Sequence, residues 1–235
     1  TVIGEFYFNK NYFEEATDIY SLLLKEDPDN HVLYQKKGYC LQMLGQVKEA
    51  LAVYLNAEVF DSNNSWIIKK IAHCYRLLKQ PDEALLYYKK AERLNPDNLS
   101  VQLNIGHCYL ELKNYDEALK SYFKVEYLDK NKPKAWRPIA WCSFLAGKHE
   151  QATEYFNRIM ESNPNATDYL NAGHAQLALK NNKEAVRLYA LSLKHPENSR
   201  EKFVETFTND IPDIVRAGVE MQNLPFILDQ VMYDA

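Results

Sequence analysis

The chain has 235 residues, 46% of them apolar and 26% charged, with a net charge of −4. That balance leaves ample material for a core and argues against a general nucleic-acid or anionic-membrane binder, which carries a basic excess. Seven glycines and nine prolines are too few for a loop-rich all-β fold, and the longest apolar run, Ala50–Leu55, falls far short of the ~20 residues that span a bilayer.

Taken in chain order, the elements recur. Ala16, Ala50, Ala84, Ala118, Ala152 and Ala185 follow one another at intervals of 34, 34, 34, 34 and 33 residues. Four residues beyond each stands an aromatic: Tyr20, Tyr54, Tyr88, Tyr122, Phe156 and Tyr189. Twelve residues before each lies Gly4, Gly38, Ala72, Gly106, Ala140 or, for the last, Gly173. The first repeat starts inside its first helix, so it is clipped at Thr1, and it closes at Pro28. Asp29-Asn30 supplies an N-cap for the second, where Leu51, Tyr54 and Leu55 stand at helical spacing. Asp61-Ser62-Asn63-Asn64 opens the third repeat, Lys79-Gln80-Pro81-Asp82 divides it into two helices, and Pro96 closes it. Asp97-Asn98 opens the fourth, which divides at Lys113-Asn114-Tyr115-Asp116. The fifth divides at Ala146-Gly147-Lys148, closes at Pro164 and is one residue short near Asn165. The sixth carries Gln176 and Ser192 where a larger and a smaller residue would continue the pattern. Each repeat reads as a helix–turn–helix with small residues at the crossing.

From Ser199 onward the pattern fails. Helices are predicted over Arg200–Thr208, over a segment carrying Ile214, Val215, Gly218 and Val219, and over Phe226–Met232. Breaks fall at Asn209-Asp210-Ile211-Pro212 and at Asn223-Leu224-Pro225. The predicted organisation is a repeat array over 1–198 and capping helices over 199–235, because the end of a repeat array exposes an apolar face. Ile214, Val215, Val219, Phe226 and Leu228 are expected to pack onto the last repeat.

The pattern resembles the tetratricopeptide repeat family, at Gly38, Ala50, Tyr54 and Ala57, and again at Ile71, Ala72, Tyr75, Ala84, Tyr88, Ala91 and Pro96. The resemblance implies an all-α, right-handed superhelical solenoid of antiparallel helix pairs, with the first helix of each pair lining a concave groove. Co-chaperone members of the family clamp chaperone C-terminal carboxylates with a Lys, Asn, Asn, Lys, Arg set. The matching positions here hold Lys69, His73, Asn104, Lys134 and Pro138, so the arginine is missing.

Cys40, Cys74, Cys108 and Cys142 occupy one position of the repeat. Stacked helices ~10 Å apart put them beyond disulfide reach, so they read as small buried thiols, and unpaired thiols point to the cytoplasm. His73, His107 and His174 share the next position and read as polar rungs on a solvated or peptide-binding surface; one-repeat spacing is too wide for a shared zinc. No catalytic motif is present, so neither enzyme activity nor a cofactor or metal is expected. The exposed positions of the first helices carry Lys36, Lys69, Lys70, Arg76, Lys134 and Arg137 against a single acid, Glu111. Tyr39, Trp66 and Trp141 interleave with them, and Asn104 and His107 join the same face. Such a surface suits an extended acidic peptide with apolar side chains. The chain is therefore expected to be a non-catalytic protein-interaction module that binds no nucleic acid and no membrane. The rival readings are an RNA-binding helical repeat and a structural or self-associating spacer of a larger protein.

Overall fold

The computed structural model describes residues 2–129 and 133–234, and among them every regular element is helical. Thr1, the expected clipping point of the first repeat, lies outside the described residues. The chain forms two compact units, Thr1–Lys113 and Asn114–Ala235. No helix of the described residues is long and apolar enough to cross a membrane.

The first unit contains α1 (Val2–Asn9), α2 (Phe13–Glu26), α3 (His31–Met43), α4 (Val47–Phe60), α5 (Ser65–Leu77), α6 (Pro81–Leu94) and α7 (Leu99–Glu111). Each helix packs on the next. Starts and stops have local causes. The side chains of Asn30, Asn64 and Asn98 accept hydrogen bonds from the first-turn amides of α3, α5 and α7, satisfying donors that a helix start leaves free. Pro81 opens α6, where its missing N–H costs nothing. The first helix of each pair ends on a left-handed residue: Asn11, Gly45 and Lys79 have φ of 62°, 75° and 59°. The amide after each reaches back to close the turn, as in Gln46 N to Leu41 O at 2.9 Å and Gln80 N to Tyr75 O at 3.0 Å.

The small-residue column is the seam of each pair. Ala16, Ala50 and Ala84 are fully buried, and so are Tyr20 and Tyr54. A Cβ added to Gly38 would stand 2.5 Å from Cε1 of Tyr54. Glycine is therefore required here by close approach, while its backbone is ordinary helix. Cys40, Cys74 and Cys108 lie buried as free thiols in the cores of this unit, as Cys142 does in the second, and burial pushes the four up to about 11 or 12.

The second unit contains α8 (Tyr115–Leu128), α9 (Pro133–Leu145), α10 (His149–Met160), α11 (Ala166–Ala178), α12 (Asn182–Lys194), α13 (Arg200–Arg216), a 3-10 turn (Met221–Asn223) and α14 (Leu224–Asp234). The seam continues: Ala152 and Ala185 are fully buried, and Tyr189 blocks the Cβ space of Gly173 at 2.4 Å. Where the fifth repeat is one residue short, Asn165 and Asp168 form a reciprocal capping box at the start of α11. Ser192, out of pattern in the sequence, is buried and donates to the carbonyl of Ala166 at 2.7 Å.

Two expectations about the tail are corrected. The break predicted at residues 209–212 does not occur, because α13 runs through Pro212. Phe203, Phe207 and Ile214 lie buried along one face of the continuous helix. Burying three such side chains, at ~1.5–3 kcal/mol each, outweighs the ~3 kcal/mol that an interior proline costs. The second correction concerns which side chains pack. Ile214, Val219 and Leu228 join a core with Leu170, Leu177 and Tyr189, but Val215 is 40% and Phe226 71% exposed. On α14 the stripe Leu224, Ile227, Leu228 and Val231 faces this core, and Phe226 falls off that face.

Candidate functional site

In the first unit, α5 and α7 bring five of the expected site residues to one pocket of about 280 Å³. Trp66, Lys69, Lys70 and His73 enter from α5, and Asn104 enters from α7 with Ser100. Tyr88 and Val101 complete the lining, and no residue of it is acidic. Trp66, 38% exposed, meets Tyr54 edge to face at 5.8 Å. The Lys70 ammonium sits 5.0 Å from the centre of the Tyr39 ring and 5.3 Å from that of Trp66, an arrangement that favours a cation. It also donates to Oε1 of Gln42 at 3.3 Å. Burial pulls its pKa below the ordinary lysine value. Tyr39 itself is wedged against Phe8 and Phe13, with ring centres 5.5 and 6.2 Å away.

The histidines of this face are held neutral. Burial lowers the pKa of His73, and the neighbouring Arg76 and Lys70 lower it further. His107 is pushed down to about 4 by burial, then by Arg76. Arg76 approaches Glu111 at 3.9 Å, so the single acid of the face already has a cation. Lys36 is paired with Glu5. Nδ2 of Asn104 donates one hydrogen bond to the Ser100 carbonyl at 2.7 Å and keeps its second hydrogen.

The second unit carries Lys134, Arg137 and Trp141 on α9. Lys134 is exposed. Arg137 grips the buried carboxylate of Asp168 with two nitrogens, at 2.8 and 2.7 Å, and donates to the Asn163 carbonyl at 3.0 Å. That pair raises the arginine pKa and ties α9 to the start of α11. Trp141 stacks on Phe144, with ring centres 5.3 Å apart.

His174 departs from the surface role expected of its column. It is fully buried, with Nδ1 2.8 Å from the Tyr189 hydroxyl and Nε2 3.2 Å from Oδ2 of Asp210. Burial lowers its pKa, and Asp210 opposes that. A carboxylate only accepts, so the neutral ring donates from Nε2 and accepts from Tyr189. The physical reason is α13: its Phe207 packs 5.5 Å from the imidazole and shuts out water.

Tyr88 and Ser100 line the pocket and Gln42 holds Lys70 beside it, and none of the three is singled out as a site residue by the sequence. Gln42 shares its repeat position with Arg76, but the same column holds Phe8, Leu110 and Phe144, so the spacing carries no signal for it. Among the described residues, no group of three or more His, Cys, Asp or Glu side chains is placed to hold a metal ion.

Two tetratricopeptide repeat models match the sequence, over residues 75–137 and 139–166. Across residues 75–166 the chain is built of tetratricopeptide repeats. Solved tetratricopeptide repeat structures share the fold. YrrB, a TPR protein with an unusual peptide-binding site, is 19% identical with a TM-score of 0.66, covering 82% of this chain and 100% of its own. The pilF protein of Pseudomonas aeruginosa is 20% identical, with a TM-score of 0.67 over 88% of this chain and 94% of its own. MamA is 21% identical, with a TM-score of 0.64 over 68% of this chain and 87% of its own. No curated protein matches the sequence.

Proposed function

We propose that this chain is a non-catalytic interaction module, and that it binds an extended acidic peptide segment of a partner protein along the face formed by α3, α5 and α7. The observation that carries this reading is the α5–α7 pocket, where two lysines, a histidine and an asparagine stand beside an exposed tryptophan without one acidic neighbour. Charge-assisted hydrogen bonds from the lysines supply polar affinity, and Trp66 offers the rigid aromatic surface that anchors most hot spots. The peptide-binding site of YrrB, a protein of the same fold, lends the reading support. Lys134 and Trp141 give α9 of the second unit similar chemistry, and a cytoplasmic setting for four free buried thiols belongs to the same proposal. RNA is the weaker alternative, since the chain is acidic overall.

The test is titration with short peptides rich in aspartate, glutamate and aromatic residues. Affinity should fall between ~0.05 and ~0.5 M salt, because exposed charges are screened. Reversing Lys69 and Lys70 to glutamate should abolish most of the binding while the circular dichroism spectrum stays unchanged. Equal binding by the reversed variant refutes the reading.

A further inference from the structure

The same pocket supports a finer assignment, which rests on the acidic-peptide reading above. We infer that the α5–α7 pocket receives a phosphorylated serine or threonine of the bound segment, in preference to aspartate or glutamate.

The donors set the chemistry. Lys69, Lys70 and His73 project from α5, and Ser100 and Asn104 from α7, so polar hydrogens line both sides of one cavity. Lys69 has no ion pair or hydrogen bond among the described residues. Lys70 is held by a neutral amide and two aromatic rings, and no carboxylate offsets its charge. Glu111, the acid on α7, is turned to Arg76. Two ammonium groups thus share one pocket without a countercharge. A carboxylate brings one negative charge and two oxygens in a plane. A phosphate monoester brings about −1.5 to −2 charges and three acceptor oxygens, which matches two lysines with donors to spare on His73 and Asn104. The burial that pulls down Lys70 and His73 marks a site where the missing negative charge is worth most. Trp66, Tyr88 and Val101 give the short carbon stem of phosphoserine or phosphothreonine an apolar wall. A nucleic-acid phosphodiester supplies only one charge per phosphate, which leaves one of the two lysines unmatched.

Four peptide libraries test this, randomised at the flanking positions and carrying phosphoserine, phosphothreonine, glutamate or serine at a fixed centre. A single-stranded RNA library serves as a fifth probe. The phosphorylated libraries should yield binders at least about tenfold tighter than the glutamate library, a factor equivalent to ~1.4 kcal/mol. Lys69→Gln should bring the two close to parity, and Lys48→Gln, on the exposed surface of α4, should not. His73, followed by its ring proton resonances, should titrate at higher pH in the phosphopeptide complex than in the free protein. If glutamate-centred peptides bind as tightly as phosphorylated ones, the phosphate inference falls and the acidic-peptide reading stands. If no peptide library binds, or RNA alone does, both fall.

Discussion

Replacing Gly38 by alanine puts a methyl group where the structure has the ring of Tyr54. The new Cβ would lie 2.5, 2.8 and 2.9 Å from Cε1, Cδ1 and Cζ of that ring. Ordinary carbon contacts begin near ~3.5 Å, so the ring or the helix must move by about 1 Å. Tyr54 is fully buried, touches Trp66 edge to face, and has its hydroxyl 3.3 Å from Gln42, so it has nowhere to retreat. Overpacking of this kind costs about 1–3 kcal/mol. Against it stands the gain of removing a helix-interior glycine, about 1 kcal/mol. The net expectation is a loss of about 1 kcal/mol, read as a lower urea midpoint at unchanged slope. Gly173→Ala should cost more, because its Cβ would stand 2.4 Å from a Tyr189 ring that is also held by His174 and Phe207. Gly4→Ala should cost least, at 2.9 Å from Tyr20. The sign decides the matter. If Gly38→Ala raises the midpoint, the propensity gain has acted alone and the seam is not closed at this position.

Lys79 holds a left-handed backbone with φ 59°, which costs a non-glycine residue ~1–2 kcal/mol. Lys79→Gly should stabilise by about 0.5–1 kcal/mol after the entropy glycine gives back, read as a higher urea midpoint, and an unchanged or lower midpoint counts against that. Arg137→Ala should destabilise by about 1–3 kcal/mol, since it strips the buried Asp168 carboxylate of its cation; a double change with Asp168→Asn measures how much of this is the pair. His107 has a folded pKa of about 4, below its unfolded value near ~6.5. The unfolded chain therefore takes up the proton first, so the stabilisation is complete above ~6.5 and is lost as pH falls toward ~4. His107 alone accounts for on the order of 2–3 kcal/mol of that loss, and His73 and His174 act in the same direction. Midpoints measured across this range should fall less steeply in His107→Gln.

Much of the fold was legible because its causes are local. The seam residues repeat, Asn30, Asn64 and Asn98 cap where they stand, and both can be read without knowing what lies across the fold. Pro212 shows the limit. Its local signal, an Asn-Asp-Ile-Pro break, is overridden by a stripe of buried side chains on α13 whose partners lie on other helices. The left-handed closure at Lys79 was hidden for a different reason: lysine carries no signal for positive φ, and only the column shared with Gly45 and Gly147 betrays it. At the site, the cations could be placed on first helices from spacing alone. Which of them were already spent could not. Glu5 takes Lys36 and Asp168 takes Arg137, each pair 31 residues apart in the sequence.

The histidine column makes the same point about function. His73 and His174 occupy one repeat position, so the backbone presents them alike, yet one lines an open pocket and the other is sealed. The difference lies in the helices that succeed each of them along the chain. After α5 and α6 comes α7, the first helix of the next repeat, which contributes Ser100 and Asn104 beside His73 and leaves the cavity open. After α11 and α12 comes α13, which departs from the repeat pattern and lays Phe207 and Asp210 over His174. His174 is there a buried hydrogen-bonded tie between α11 and α13. Under the proposed peptide-binding reading, the face at His174 is closed to a partner, whereas the pocket at His73 is open to one.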